Sequence, residues 1–179
     1  MKKIIIQGLL VSVTFCLLST AVNAYVIIAN RKFTTPKNIT VYIAEALMKD
    51  YKNKIVTYTK KWTYSGSPFK FVGFKQYKFS NDSKTNRIIF AKNSAVSNGT
   101  YAVNYREGKT KSRIVLYKSF FKASGGYKNE VIVHEVGHSV GLDHCQKSKN
   151  NVAVMRATGF NNKAYPLSDD KSGVKKIYK

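Results

Sequence analysis

Histidine, cysteine and acidic residues are scarce in this sequence, and each shortage limits what the protein can do. Of 179 residues, three are histidine, two are cysteine and nine are acidic, against 31 lysines and arginines. Cys16 lies in an apolar N-terminal run, so a chain that has lost this run keeps only Cys145 and cannot form an internal disulfide. Three histidines supply at most three imidazoles for metal or proton chemistry, so their positions decide which chemistry is open to the protein.

The shortage of acidic residues leaves a formal net charge of +22. The lysines are spread along the whole chain and no nucleic-acid-binding motif accompanies them, so we predict no specific nucleic-acid partner. Such a charge favours attraction to an anionic cell-wall polymer, a membrane surface or an acidic substrate. Many of these lysines are simply a solvated surface.

Residues 1–24 have the features of a secretory signal peptide. Two lysines near the N-terminus precede an apolar run from Ile4 to Leu18, and small residues follow up to Ala24. The run is too short to span about 30 Å of hydrocarbon, which disfavours a transmembrane anchor. We predict secretion with cleavage after Ala24, leaving one domain, residues 25–179, with a charge of +20 because two lysines and no acid are removed.

The hydrophobic pattern predicts alternating helices and strands after an irregular arm at residues 25–38. Residues 46–64 have apolar side chains at three- and four-residue steps, which is typical of a helix that packs by one face. Gly125-Gly126 is expected to break the chain before a second helix at residues 129–140. Strands are predicted at Ile39–Ile43, Phe69–Phe79, Arg87–Ala91, Thr100–Arg106 and Arg113–Tyr117, the last two as a hairpin.

All three histidines fall in one eleven-residue stretch, H-E-V-G-H-S-V-G-L-D-H, which ends at His144. His134 and His138 are four apart, so on a helix their imidazoles lie on the same face and can share a metal ion. Gly141 permits a left-handed turn that can bring His144 back as the third ligand. Three protein ligands leave a fourth position open, which is typical of a catalytic zinc site. Glu135 is placed to act on water as a general base.

Cys145 directly follows the third histidine and has two interpretations. It can be a small packed thiol, as buried cysteines usually are, and we favour this. Alternatively its sulfur is a fourth protein ligand, which would close the zinc site and silence it.

The pattern H-E-x-x-H-x-x-G-x-x-H resembles that of the metzincin metallopeptidases. Metzincins have a methionine turn beneath the metal, and Met155 lies at a matching place, eleven residues after His144. The segment from Tyr165 to Tyr178 resembles the closing helix of the matrixins, which typically end in L-S-x-D-D-x-x-G-I-x-x-L-Y-G. Here one residue is missing between the Ser and the Asp-Asp pair.

The resemblance implies an α+β, zincin-like fold. We expect a twisted, mostly parallel sheet with an antiparallel edge strand over an active-site helix, and a small C-terminal subdomain that ends in a helix. Residues 25–144 would form the upper subdomain with the zinc helix, and residues 145–179 the lower one. Ser168 would cap the last helix, and Asp169 or Asp170 would bind the ammonium of Tyr25 after signal cleavage.

The resemblance also implies a secreted zinc endopeptidase that acts on peptides or proteins as a monomer with one zinc ion. No histidine remains for a second zinc, and acids are too few around the predicted hairpin to support calcium. Substrate would pair with the edge strand Thr100–Arg106. The loop from Arg156 to Pro166 would wall the pocket for the residue after the cut, with Arg156 and Tyr165 as candidate pocket residues.

Two alternatives keep this fold. In one, the substrate is the peptide cross-link of a cell wall and the positive charge serves wall attachment. In the other, the protein is a cationic surface-binding protein with a silent metal site. The intact Glu135 argues against silence, because a silent site has no use for a general base.

Overall fold

A computed structural model describes residues 25–78, 86–95, 99–145 and 152–179. The predicted signal peptide lies outside these ranges. No helix in the described part of the chain is long and apolar enough to cross a membrane.

Two sheets and four helices make up the described chain, with the larger sheet in the order β3-β2-β4-β6-β5. A 3-10 turn, Lys60–Trp62, extends the first helix. The elements in chain order are β1 (Val26–Ile27), β2 (Ile39–Ile43), α1 (Glu45–Thr59), β3 (Phe71–Gln76), β4 (Asn86–Asn93), β5 (Ala102–Glu107), β6 (Lys111–Tyr117), α2 (Lys118–Lys122), α3 (Gly125–Ser139), β7 (Leu142–Asp143) and α4 (Ser168–Ile177).

The five-stranded sheet confirms the expected mostly parallel arrangement. β3, β2, β4 and β6 pair in parallel, and β5 joins β6 as an antiparallel hairpin partner at the edge. Every residue of β2 is buried, which is why it reads as an apolar run without an exposed face. The sheet therefore presents β5 as one of its two edges, beside the helix that carries the histidines.

Helix α1 packs against α3 as the apolar face predicted for it requires. Leu47 and Ile55 are fully buried, and Trp62 in the following 3-10 turn donates from its indole N–H to the carbonyl of Val133 at 3.0 Å. The polar residues near the middle of α1 do not interrupt it. This hydrogen bond holds α3, the helix that carries two of the histidines, against the end of α1.

Three local predictions are wrong, each for a physical reason. The Gly125-Gly126 pair does not precede α3 but forms its first turn, because Ser124 caps the helix by accepting from the backbone N–H of Tyr127 at 3.5 Å. The arm is not wholly irregular, since β1 pairs antiparallel with β7, a contact of two-residue strands that shows no periodicity. Helix α4 is capped at Leu167 and not at Ser168.

The arm and the last helix close around the end of α3. The hydroxyl of Tyr178 accepts from the backbone N–H of Phe33 at 2.9 Å and donates to the carbonyl of Val140 at 3.0 Å. A Cβ added at Gly173 would lie 3.0 Å from the Cβ of Tyr25, so the arm runs close over α4. These contacts join the beginning of the described chain to its last helix.

Candidate active site

The three histidines of the motif converge on one point. α3 carries His134 and His138, Gly141 turns the chain at φ +105°, and β7 leads into His144. The Nε2 atom of His144 lies 3.0 Å from that of His134 and 3.2 Å from that of His138. Nitrogens that share one tetrahedral zinc lie about 3.3 Å apart, given Zn–N bonds of about 2.0 Å, so this donor set fits zinc.

Backbone carbonyls orient two of the imidazoles. Nδ1 of His134 lies 2.9 Å from the carbonyl oxygen of Val154, and Nδ1 of His138 lies 2.9 Å from that of Leu142. Each carbonyl accepts a hydrogen bond from the Nδ1–H group, which leaves the Nε2 lone pair free for a metal. Burial lowers the pKa of His134 well below its usual value and that of His138 to about 4, so both rings are neutral near pH 7.

Glu135 lies beside the histidines with an unsatisfied carboxylate oxygen. Its side chain is 7% exposed, and its Oε2 atom has no hydrogen-bond partner among the described residues. Burial raises the pKa of this carboxyl to about 8. A buried oxygen without a partner costs about 1–3 kcal/mol, so the site is suited to a water or substrate group at Glu135.

The histidines and Glu135 open into a cavity of about 640 Å³ between β5 and the loop after Met155. Arg156, predicted as a pocket residue, lines this cavity. Tyr165 is not among the lining residues, and 46% of its surface is exposed. The other walls come from the arm, from β5 with the residue before it, from α3, from the segment that carries His144, and from the methionine turn with the loop after it. The residues concerned are Ile28, Arg31, Tyr101, Ala102, Val103, Asn104, Val131, His134, Glu135, His138, Asp143, His144, Val154, Ala157, Thr158, Gly159 and Phe160.

Met155 lies in a turn directly beneath the histidine helix. It is 2% exposed, and its sulfur occupies the space where a Cβ of Gly137 would stand. Asp170 holds this turn by accepting from the backbone N–H groups of Val154 at 2.7 Å and Met155 at 3.2 Å. Because the carbonyl of Val154 orients His134, a chain of contacts runs from α4 through the turn to a histidine.

This use of Asp170 was not foreseen from the sequence. The prediction assigned Asp169 or Asp170 to the ammonium of Tyr25, but the carboxylate of Asp170 already accepts from three backbone N–H groups, including that of Leu167 at 2.8 Å. The donors are backbone N–H groups, which leave no pattern in the sequence. The pairing with the ammonium stays a prediction.

Cys145 is a buried free thiol, 3% exposed, and burial raises its pKa. Its backbone N–H donates to the carbonyl of Met155 at 2.7 Å, so the residue joins the histidine segment to the turn. Within the described residues, the group of side chains close enough to share a metal contains the three histidines and not Cys145. This disfavours a sulfur-closed site.

A second polar network, also not foreseen, joins β5 to α3. The amide of Asn104 donates to the carbonyl of Glu135 at 2.9 Å and to the hydroxyl of Ser139 at 2.7 Å. The hydroxyl of Ser112 on β6 donates to the Asn104 carbonyl oxygen at 3.0 Å. The edge strand is therefore fixed to the helix at the residue next to His134.

Three imidazoles converging after a glycine turn, a buried glutamate beside them and a methionine beneath them define a metzincin-type zinc peptidase site under a mostly parallel sheet. The sequence model of the family described as Matrixin matches residues 24–179, so the chain belongs to the matrixin family and is a zinc metalloendopeptidase.

Comparison of the structures agrees at the level of the fold. The chain is similar to the solved structure of myroilysin, with a TM-score of 0.52 and 14% sequence identity, over 85% of this chain and 97% of that one. A search of curated proteins finds no significant match.

Proposed function

We propose that the protein is a secreted zinc endopeptidase in which Glu135 is the general base. The observation that carries this is the placement of Glu135: its carboxylate is buried, one oxygen is unpartnered, and it lines the same cavity as all three histidines. A buried carboxylate oxygen without a protein partner is costly for stability, and such a cost is typical of a residue that is needed for chemistry.

His134, His138 and His144 are the residues that hold the zinc ion. When bound, zinc supplies Lewis acidity, which lowers the pKa of water from about 15.7 toward 7 and polarises a carbonyl group. Glu135 takes a proton from the attacking water and passes it to the leaving amine.

Substrate lies extended along β5. This strand is an edge of the sheet, and Ala102, Val103 and Asn104 on it line the cavity. An extended peptide that adds to this edge pairs by main-chain hydrogen bonds and places one side chain toward the loop after Met155. The contacts of Asn104 with α3 hold this edge in register with Glu135.

The excess of positive charge is proposed to hold the secreted protein at an anionic surface. It does not replace the catalytic assignment, since the described residues that line the cavity include two arginines and no lysine. A silent, purely surface-binding protein is disfavoured because Cys145 is outside the group of potential ligands and Glu135 is intact.

The test of this proposal is cleavage of a mixed peptide library by zinc-loaded protein and by the Glu135→Ala variant. We expect the variant to bind one zinc ion per chain and to lose about 10³-fold in kcat/KM, because general base catalysis contributes about 10²–10⁴. Glu45→Ala, which removes an exposed glutamate from the first turn of α1, away from the cavity, is the matched control and should keep its activity. Wild-type proteolysis in a zinc-loaded Glu135→Ala variant would refute the assignment. Cell-wall fragments assayed in parallel would separate the two substrate classes.

A further inference from the structure

Glu130 is a fully buried carboxylate one helical turn before His134, and the chemistry at the metal does not use it. Its oxygens accept from the backbone N–H groups of Asn161 at 3.2 Å and Asn162 at 2.9 Å. It also forms a buried ion pair with the Nη2 group of Arg156. One carboxylate on the zinc helix thus holds two separate points of the loop that follows the methionine turn.

Arg156 connects the same loop to the turn. Its Nε group donates to the carbonyl of Gly159 at 3.0 Å, and its Nη1 group donates to the carbonyl of Ala153 at 2.5 Å. All three guanidinium nitrogens therefore have acceptors, and Glu130 neutralises the charge. Although Arg156 lines the cavity, it offers no unpaired positive charge to a substrate.

The loop held by these contacts is one wall of the cavity. Phe160 contacts Tyr101, the residue before β5, edge to face with ring centroids 5.7 Å apart, and Tyr127 of α3 at 5.0 Å. The position of residues 156–160 therefore sets the space between the loop and the strand on which substrate is proposed to lie.

Stability alone does not account for a buried ion pair of this kind. Removing two charges from water is costly, and well-packed apolar residues in their place are often neutral or stabilising. What the pair supplies is a fixed geometry, because a guanidinium with an acceptor for each of its nitrogens and a carboxylate that accepts from two backbone N–H groups permit few arrangements.

We infer that Glu130 and Arg156 are positioning residues that fix the 156–162 loop and thereby determine which substrate side chain the cavity accepts beside the zinc site. The inference rests on the proposed placement of substrate along β5. In addition, Glu130 neutralises the positive charge of Arg156 in this wall of the cavity. The pocket therefore does not attract acidic side chains of a substrate.

The experiment compares cleavage profiles of zinc-loaded wild-type protein, Glu130→Gln and the double variant Glu130→Leu/Arg156→Met on one peptide library. We expect the double variant to fold and bind zinc, because no buried charge is left uncompensated. Its selectivity at the position facing the loop, measured as the ratio of kcat/KM between best and worst side chains, should fall about tenfold, mainly through KM. The Glu130→Gln variant should instead cleave peptides with acidic side chains at that position more readily, since Arg156 then has no counter-charge.

The control is Glu45→Gln, which removes an exposed carboxylate in the first turn of α1, away from the cavity, and should leave the profile unchanged. A folded double variant with the wild-type profile and KM would overturn the inference, and so would a folded Glu130→Gln variant without acidic preference. If Glu130→Gln does not fold, the double variant decides alone. Failure of the proposed function would give a different result, because the zinc-loaded Glu135→Ala variant would then still cleave the peptide library.

Discussion

The ligand residues of this site are determined by sequence spacing, but their orientation is determined by backbone atoms. The spacing of the histidines predicts a shared metal, and the structure brings their Nε2 atoms together. The carbonyls that orient the rings belong to Val154 and Leu142, where the side-chain type is irrelevant to the hydrogen bond. Glu130 was missed for a similar reason, since its partners include two backbone N–H groups and an arginine far along the chain.

The close packing of α3 against the methionine turn can be tested by substituting Gly137. A Cβ at this position would overlap the sulfur of Met155 and lie 2.9 Å from the ring of Trp62. We expect Gly137→Ala to lower the free energy of unfolding by about 2 kcal/mol, as overpacking in cores usually does, despite the better helix propensity of alanine. Zinc affinity should also fall, because the turn that orients His134 is displaced.

The matched control for this substitution is Gly125→Ala in the first turn of the same helix, where an added Cβ meets nothing within 4 Å. Urea unfolding and zinc competition titration on both variants measure the two effects. Equal stability of the two variants would contradict the close contact between α3 and the methionine turn.

At the scale of elements, long periodic segments were predicted well and short ones were not. β2 has the predicted bounds, and α1 and β5 lie within a few residues of theirs, because burial gives each a regular pattern. The strands β1 and β7 have two residues each and depend on a partner far away in the chain. The start of α3 was placed too late because glycine is a poor helix former, yet the Ser124 cap and contacts of the helix override this preference.

The attachment of α4 to the methionine turn predicts a pH effect on stability. Burial raises the pKa of Asp170 from 3.8 to about 6, against the opposing effect of its hydrogen bonds from backbone N–H groups. Between about pH 4 and pH 6 the folded protein holds a proton that the unfolded chain has released. The stability that Asp170 contributes is therefore present below pH 4 and is lost as the pH rises through 6, by about 3 kcal/mol for a shift of this size.

Asp170→Asn cannot titrate, so the difference in unfolding free energy between wild-type protein and this variant should shrink as the pH rises from 4 to 7. Urea unfolding in the presence of a chelator measures the difference without metal binding, and histidine titration is common to both proteins. Asp50→Asn on the exposed side of α1 corrects for removing one negative charge from so basic a protein. Parallel stability curves for the wild type and Asp170→Asn would contradict the assignment.

For the whole molecule, the dominant feature is charge that the fold does not neutralise. Nine acidic residues cannot balance 31 basic ones, and of the nine, Glu130, Glu135 and Asp170 are buried. Two arginines, Arg87 and Arg156, are buried as well, so the exposed surface is about as basic as the composition suggests. Lysines on α1 and on α4 are both exposed, so this field is spread over the molecule and is not concentrated in one groove.

A diffuse field of this kind predicts surface binding that depends on salt and not on one patch. We expect binding to vesicles that contain anionic phospholipid to weaken at least about tenfold between 50 and 300 mM salt, as the screening length falls below about 10 Å. Cleavage of an uncharged peptide should change less than about threefold, because salt screens interactions between charges and such a peptide carries none. Replacing Lys171, Lys175 and Lys176 on α4 by glutamine should weaken vesicle binding about as much as replacing Lys49, Lys52 and Lys61 near α1. Binding that survives high salt, or that only one of the two triple variants abolishes, would show a specific recognition site in place of the diffuse charge.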